Sequence, residues 1–205
     1  MLTKGEGKFL VRFARETIEK FVRGEKVYLP NVYPEKFKEP RGVFVTLEKY
    51  PSGELRGCIG LPYPEKPLIE AVREAACSAT QDPRFPPLSE GELDKITVEV
   101  SVLTKPEKIE FKSPEELLEK ITPGKDGLIL KRGWNSGLFL PQVWKQLPDK
   151  VQFLENLCYK AGIWDKDAWK NAEIYKFRVE AFKEKEPYGV IEYMPLQTQG
   201  KRDSV

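Results

Sequence analysis

Apolar positions along the chain switch between a helical and a strand period in a regular order. In "KFLVRFARETIEKFVRG", residues 8–24, Phe9, Leu10, Phe13, Thr17 and Phe21 recur at helical spacing and Gly24 marks a stop. The proline-bearing stretch 29–40 is a connector. "GVFVTLEKYPSGELRGCIG", residues 42–60, predicts two strands around a Pro- and Gly-marked turn. A helix is predicted over "LIEAVREAACSATQD", closed by Asp82-Pro83. The loop "PRFPPLSEGEL" and the alternating strand "KITVEVSVLT" come next.

The same order then returns. "DGLILKRGWNSGLFLPQ" predicts a second hairpin with "RGWNSG" as its turn, "DKVQFLENLCYKAG" a helix, "DKDAWKN" a short helix and "EIYKFRVEAF" one alternating strand. Cys58 to Cys77 and Phe139 to Cys158 both span 19 positions. The expected fold is therefore α+β, with two β-β-α-α-β-like repeats sharing one mainly antiparallel, curved sheet flanked by helices. The expected domain covers residues 1–186, with repeats at roughly 1–112 and 113–186. Residues 187–205 form a tail, from which Val190, Ile191, Tyr193 and Leu196 are candidates to dock on the body.

Composition narrows the function classes. Of 205 residues, 34 are Lys or Arg and 32 Asp or Glu, finely mixed, so no strong net field attracts a polyanion or an anionic membrane. Abundant Lys and Glu with few Met and Cys resemble a hyperthermophile's composition. No apolar run reaches the roughly 20 residues of a membrane helix. The charged start lacks a signal-peptide core, and a cytoplasmic location with reduced thiols is expected. Three cysteines without CxxC spacing indicate neither a disulfide framework nor a zinc site. The chain has no histidine, which excludes Ser-His-Asp and Cys-His nucleophile arrangements and histidine-dependent metal sites. "TPGKDG", residues 122–127, lacks P-loop spacing. No cofactor of the chain's own is expected.

The candidate chemistry centres on "LRGCIG", residues 55–60. On a strand, period two places Leu55, Gly57 and Ile59 on one face and Arg56, Cys58 and Gly60 on the other. Arg56 beside Cys58 would favour the thiolate, and Gly57 and Gly60 would let a ligand or another chain segment approach closely. Against this, a free cysteine often serves as a small apolar filler, and a carboxylate could saturate Arg56. Cys77 and Cys158, mid-helix among apolar residues, are expected in the core. "DPRFPPLS" offers Arg84 and Phe85 either as a cleft wall binding an anion or as a helix cap and a core plug. The cluster Lys131, Arg132 and Trp134 at the second hairpin tip suits base stacking.

"LRGCIG" resembles the hallmark of the AMMECR family. "PRGVFVTL" at 40–47, "DPRFPPLS" at 82–89, "GLFLPQVW" at 137–144 and "FLENLCYKAG" at 153–162 are similar to further segments of that family, and the resemblance runs from about residue 3 to 183. It implies two similar repeats on one barrel-like sheet and carries over no established reaction. Relatives encountered beside Memo-like and radical-SAM proteins imply a metal- or radical-dependent partner enzyme. Two functional expectations result. One is a substrate-handling or modifying module with a cleft on "LRGCIG", where Cys58 is a thiolate and Arg56 an anion binder. The other is a non-catalytic module binding RNA, a nucleotide or a partner protein, in which Cys58 is structural.

Overall fold

The computed structural model describes residues 1–194. The described chain divides into two compact units, one formed by Met1–Leu103 with residues 180–194, the other by Thr104–Val179. The boundary thus falls nine residues before the expected 112/113 division, and the chain's last described strands belong to the first unit.

In the first unit, helix α1 (Lys4–Val22) starts at a Thr3/Glu6 capping box, where each side chain accepts from the other's backbone N–H. It buries Leu10, Val11, Ala14, Thr17 and Ile18, while Phe9 and Phe21 lie at the margin of that stripe. Strands β1 (Val43–Lys49), β2 (Leu55–Leu61) and β3 (Ile96–Leu103) bracket helix α2 (Leu68–Ala79). Helices α1 and α2 share one core with Val43, Val45 and Leu47 of β1 and Val98, Val100 and Val102 of β3. This is period two at work: alternate residues of each strand face the helices.

The second unit contains the short strand β4 (Glu107–Lys108), helix α3 (Pro114–Lys120), β5 (Gly127–Arg132), β6 (Asn135–Phe139), helix α4 (Lys150–Lys160) and β7 (Glu173–Phe177). Its core joins Leu128, Leu130 and Ile174 to Phe153, Leu154, Leu157 and Cys158 of α4, with Trp144 stacked on Phe153 at 3.7 Å. The chain then returns to the first unit through β8 (Val179–Glu184) and β9 (Ile191–Met194). There Glu184 receives a buried Arg15 guanidinium and the Val98 N–H, and Ile191 joins the core.

The single barrel-like sheet is corrected: among the described residues two sheets form, and neither closes. Their orders are β2-β1-β3-β8-β9 and β4-β7-β5-β6. The segment "EIYKFRVEAF" is two strands, β7 and β8, split at Arg178 and assigned to different sheets. In each sheet the first strand of a hairpin lies between its second strand and the next long strand, β2-β1-β3 in one and β6-β5-β7 in the other. Of the tail, Ile191 is buried and Val190 and Tyr193 exposed; Leu196 lies outside the described residues. Among the described residues no helix is long and apolar enough to cross a membrane.

Candidate functional site

Strand β2, which carries "LRGCIG", lies at the edge of the five-stranded sheet. Its pairing with β1 slips once. Leu47 faces Gly57 and Glu48 faces Leu55, so Arg56 is an extra residue with no partner across the ladder. The slip breaks period two at that point and sends Arg56 elsewhere. Its Nε and Nη2 donate to the two Glu92 carboxylate oxygens at 2.7 and 3.1 Å, and Nη2 also reaches the Pro87 carbonyl at 3.4 Å. Only 7% of the Arg56 side chain meets solvent. This bidentate pair holds the Glu92 carboxyl down at about 2, with Arg56 the largest cause and the Ser89 N–H and hydroxyl assisting. Arg56 is therefore committed to a carboxylate.

Cys58 is paired across the ladder with Thr46, whose hydroxyl donates to Sγ at 3.3 Å. The outward backbone groups of Cys58 are clamped by one short segment. Asp82 Oδ2 accepts from the Cys58 N–H at 2.9 Å, and Arg84 Nη2 donates to the Cys58 carbonyl at 3.3 Å. Asp82 and Arg84 are also bound to each other. The carboxylate accepts from Arg84 Nη2 at 2.7 Å, from Nε at 3.0 Å and from its backbone N–H at 3.1 Å. An acidic group at 2% exposure with these donors is held far below the usual carboxylate range, first by the Arg84 guanidinium. Arg84 in turn is pushed up, chiefly by Asp82, with Cys58 among the lesser causes. The Arg84 guanidinium is thus electrostatically coupled to the thiol. Its side chain remains 55% exposed.

The local sequence explains the clamp. Helix α2 stops at Ala79, and Pro83 prevents its continuation. Asp82 closes a turn onto the N–H two residues on, the pattern expected of Asp before such a bend. Gly57 makes the approach possible: a Cβ there would lie 2.3 Å from the Ala79 carbonyl oxygen. At Gly60 the corresponding space is filled by the Phe44 ring. The bare backbone of the motif thus admits segments of this chain. Phe85 is half-buried, with the Arg56 and Arg84 guanidinium carbons 5.9 and 5.7 Å from its ring centroid. It lies outside the core cluster.

Cys158 is fully buried, as expected, whereas Cys77 is not a core residue. It falls off the buried stripe of α2, which runs Leu68, Ile69, Ala71, Val72, Ala75, Ala76 and Ala79, and it lines a hollow beside Phe21 and Arg73. Burial pushes both thiols up. No group of three or more acidic or cysteine side chains among the described residues converges as a metal site.

In the second unit, Lys131 lies over the Tyr175 ring at 5.3 Å, Arg132 pairs with Asp165 at 3.5 Å, and Trp134 is fully exposed. The structure brings Lys131, Arg132 and Trp134 to one hairpin tip and keeps Arg56, Cys58, Arg84 and Phe85 together in the first unit. Sequence reasoning missed Thr46 and Asp82 at the thiol, and Trp164 and Tyr159 near the hairpin tip. Asp-Pro at a helix end was the available signal for Asp82; Thr46 is found only through strand register.

A family model described as AMMECR1 matches residues 11–182. Protein MJ0810 of Methanocaldococcus jannaschii is 50% identical over 195 residues, covering 93% of this chain and 96% of that protein. Protein MK0488 of Methanopyrus kandleri is 48% identical over 199 residues, with coverage of 93% and 94%. The crystal structure of the uncharacterized protein PH0010 from Pyrococcus horikoshii matches with a TM-score of 0.77 at 45% identity, covering 95% of this chain and 98% of that one.

Proposed function

The chain belongs to the AMMECR1 family, and from that premise we propose that it is a substrate-handling module whose reactive centre is Cys58. Thr46 donates to the sulfur and Arg84 binds the Cys58 carbonyl, and in this reading the two together support the negative form of the thiol without a histidine base. In this reading the sulfur supplies the electron pair for a bond to an electrophilic substrate atom, and the displaced group leaves with its own bonding pair. Arg84 keeps more than half its side chain in solvent and binds an anionic part of the substrate. Gly57 and Gly60 shape the strand that carries the thiol, and Phe85 forms the cleft wall beside Arg84. Arg56, proposed from the sequence as the anion binder, serves here as the anchor that holds Glu92 and the Pro87 carbonyl behind that wall. Metal- or radical-dependent chemistry, where the reaction needs it, comes from a partner enzyme.

The observation that carries this reading is the Asp82–Arg84 pair gripping both outward backbone groups of Cys58 while leaving the guanidinium accessible. The test is the pH dependence of iodoacetamide alkylation at Cys58 in a Cys77→Ser, Cys158→Ala background. Half-maximal rate is expected well below the ordinary thiol value of about 8.5, moving upward in Arg84→Ala and staying in place in Arg56→Ala. A thiol that reacts only when the protein unfolds sinks the proposal. The second reading, a binding module for RNA, a nucleotide or a partner protein with Cys58 as packing, would then lead; the exposed Trp134 favours it.

A further inference from the structure

Helix α4 ends in a Schellman-type turn: the Ile163 N–H donates to the Cys158 carbonyl and the Gly162 N–H to that of Tyr159, with Gly162 at φ 76°. The turn sends the next loop alongside the β5–β6 hairpin tip. The two segments are tied at both ends, by Asn135 Nδ2 donating to the Ala161 carbonyl at 2.9 Å and by the Arg132–Asp165 pair. Between these ties each segment presents an indole to solvent, Trp134 at full exposure and Trp164 at 85%. Tyr159, itself exposed, lies with its ring 6.2 Å from that of Trp164.

Two exposed indoles and a tyrosine next to an arginine have the composition of an interface centre. The charges nearby are already balanced. Arg132 faces Asp165, Lys166 faces Glu155 at 3.6 Å, Lys170 faces Asp167 at 2.8 Å, and Lys131 is seated on Tyr175. A nucleic-acid face depends on cations free to replace phosphate counterions, and here most are spent on carboxylates. Because each copy sets Arg132 beside Asp165, a two-fold axis through this face can bring each of these charges opposite its counterpart in a second copy. The aromatic groups alone supply roughly 500 Å² per copy, most of the about 800 Å² a stable contact needs from each side.

We propose that this face, Trp134, Trp164 and Tyr159 with the Arg132–Asp165 pair, is the contact through which a second copy of the chain docks. This deepens the partner-binding reading by naming the occupant, and its test leaves Cys58 untouched, so either can fail alone.

The experiment is sedimentation equilibrium of the full chain up to about 200 µM, a concentration that detects contacts far weaker than those of obligate dimers. The mass is expected to climb from 23.6 kDa towards twice that value. Trp134→Ser and Trp164→Ser should each weaken association at least tenfold or so. The double variant should stay monomeric with an unchanged circular dichroism spectrum. Raising salt from about 0.1 to 1 M should change the association little, because Arg132 and Asp165 exchange one carboxylate–guanidinium partner for another on docking and the indoles carry the contact. A mass fixed at 23.6 kDa throughout, or a double variant that still dimerises, overturns the proposal. So does an oligouridine that quenches the indoles of a monomeric chain with steep salt dependence; that result gives the face to nucleic acid.

Discussion

The two hairpins use one device to opposite ends. In the first unit Gly57 of β2 receives the C-terminal end of α2, with the Ala79 carbonyl in the space of its missing Cβ. In the second, Gly137 of β6 receives the end of α4, with the Ala161 N–H and the Leu157 carbonyl in the corresponding space. A helix end seated on a strand through glycine is thus common to both. Beyond the helix end the two units diverge. After α2 come the buried Asp82 and the half-exposed Arg84, which hold the neighbouring Cys58 by its backbone. After α4 come Ala161 and Gly162, whose turn sends Trp164 outward on a loop tied to the hairpin tip that carries Trp134. One seat has become a polar site within its own unit, the other an apolar face in solvent. The scaffold carries both and dictates neither.

The sharpest way to break the comparison is to fill the two seats. Gly57→Ala forces a methyl to 2.3 Å from a backbone oxygen, which cannot swing aside as a flexible side chain would. A loss of about 3 kcal/mol is expected, at the upper end of overpacking costs. Gly137→Ala meets its nearest atom at 2.8 Å and should cost about 1–2 kcal/mol. All four tryptophans lie in the second unit, so indole fluorescence reports unfolding there, and amide exchange in β1 and β2 reports the first unit. Equal losses at the two sites would show that the two seats are not held with different tightness.

Acid is the next probe. Asp82 and Glu92 have folded-state pKa values depressed by Arg84 and Arg56, so their contribution is fully present above the unfolded carboxylate range and is lost as pH falls through the folded values. The window runs from about pH 4.5 down to 2 and below. The depressed carboxylates of the second unit, the exposed Glu115, Asp167 and Glu173 and the half-buried Glu116, lie at the surface and contribute little. First-unit stability should therefore fall by about 2 kcal/mol more than second-unit stability over this window, with Glu92 discounted because a third of it meets solvent. Asp82→Asn should lower stability at neutral pH and flatten the acid decline, as read by amide exchange at β2. An acid curve unchanged by Asp82→Asn would remove the clamp from the explanation.

Much of this was legible in the sequence because the elements are periodic. Helices α1, α2 and α4 and both hairpins emerge from spacing and turn residues alone. What was hidden is non-local or aperiodic. The bulge at Arg56 cannot be seen in "LRGCIG", since one extra residue leaves the letters of the pattern intact while reversing the faces before it. Strands β7 and β8 alternate continuously through Arg178, so the change of sheet leaves no mark on the period. The barrel failed for the same reason: which strands pair is settled by packing far along the chain. Helix α3 was missed although Ser113-Pro114 with Glu115 and Glu116 is a start signal, because seven residues make too short a stripe. At the thiol, the sequence brought Arg56, Cys58, Arg84 and Phe85 into consideration, but which carboxylate each arginine binds depended on where Glu92 and Asp82 lie.

The smallest effect separates folding from recognition on the second face. Trp134 occupies the hairpin tip after Gly133, whose φ of 62° suits the tight turn, and its indole buries nothing within the chain. Trp134→Ser removes no intramolecular packing, so its stability change should stay within about 0.5 kcal/mol. Trp164→Ser should behave similarly, since its indole is 85% exposed and touches the Tyr159 ring at the surface. By contrast Trp144, stacked on Phe153 in the core, should lose about 3–5 kcal/mol on truncation to Ala. The check is urea unfolding of dilute, monomeric protein, read by far-ultraviolet circular dichroism. A large loss in Trp134→Ser under those conditions would mean that the indole is part of the folded unit, and an effect on self-association could no longer be read as loss of a docking contact. A negligible loss means that the Trp134 indole does not hold the fold together, which makes it the residue whose removal tests association most cleanly.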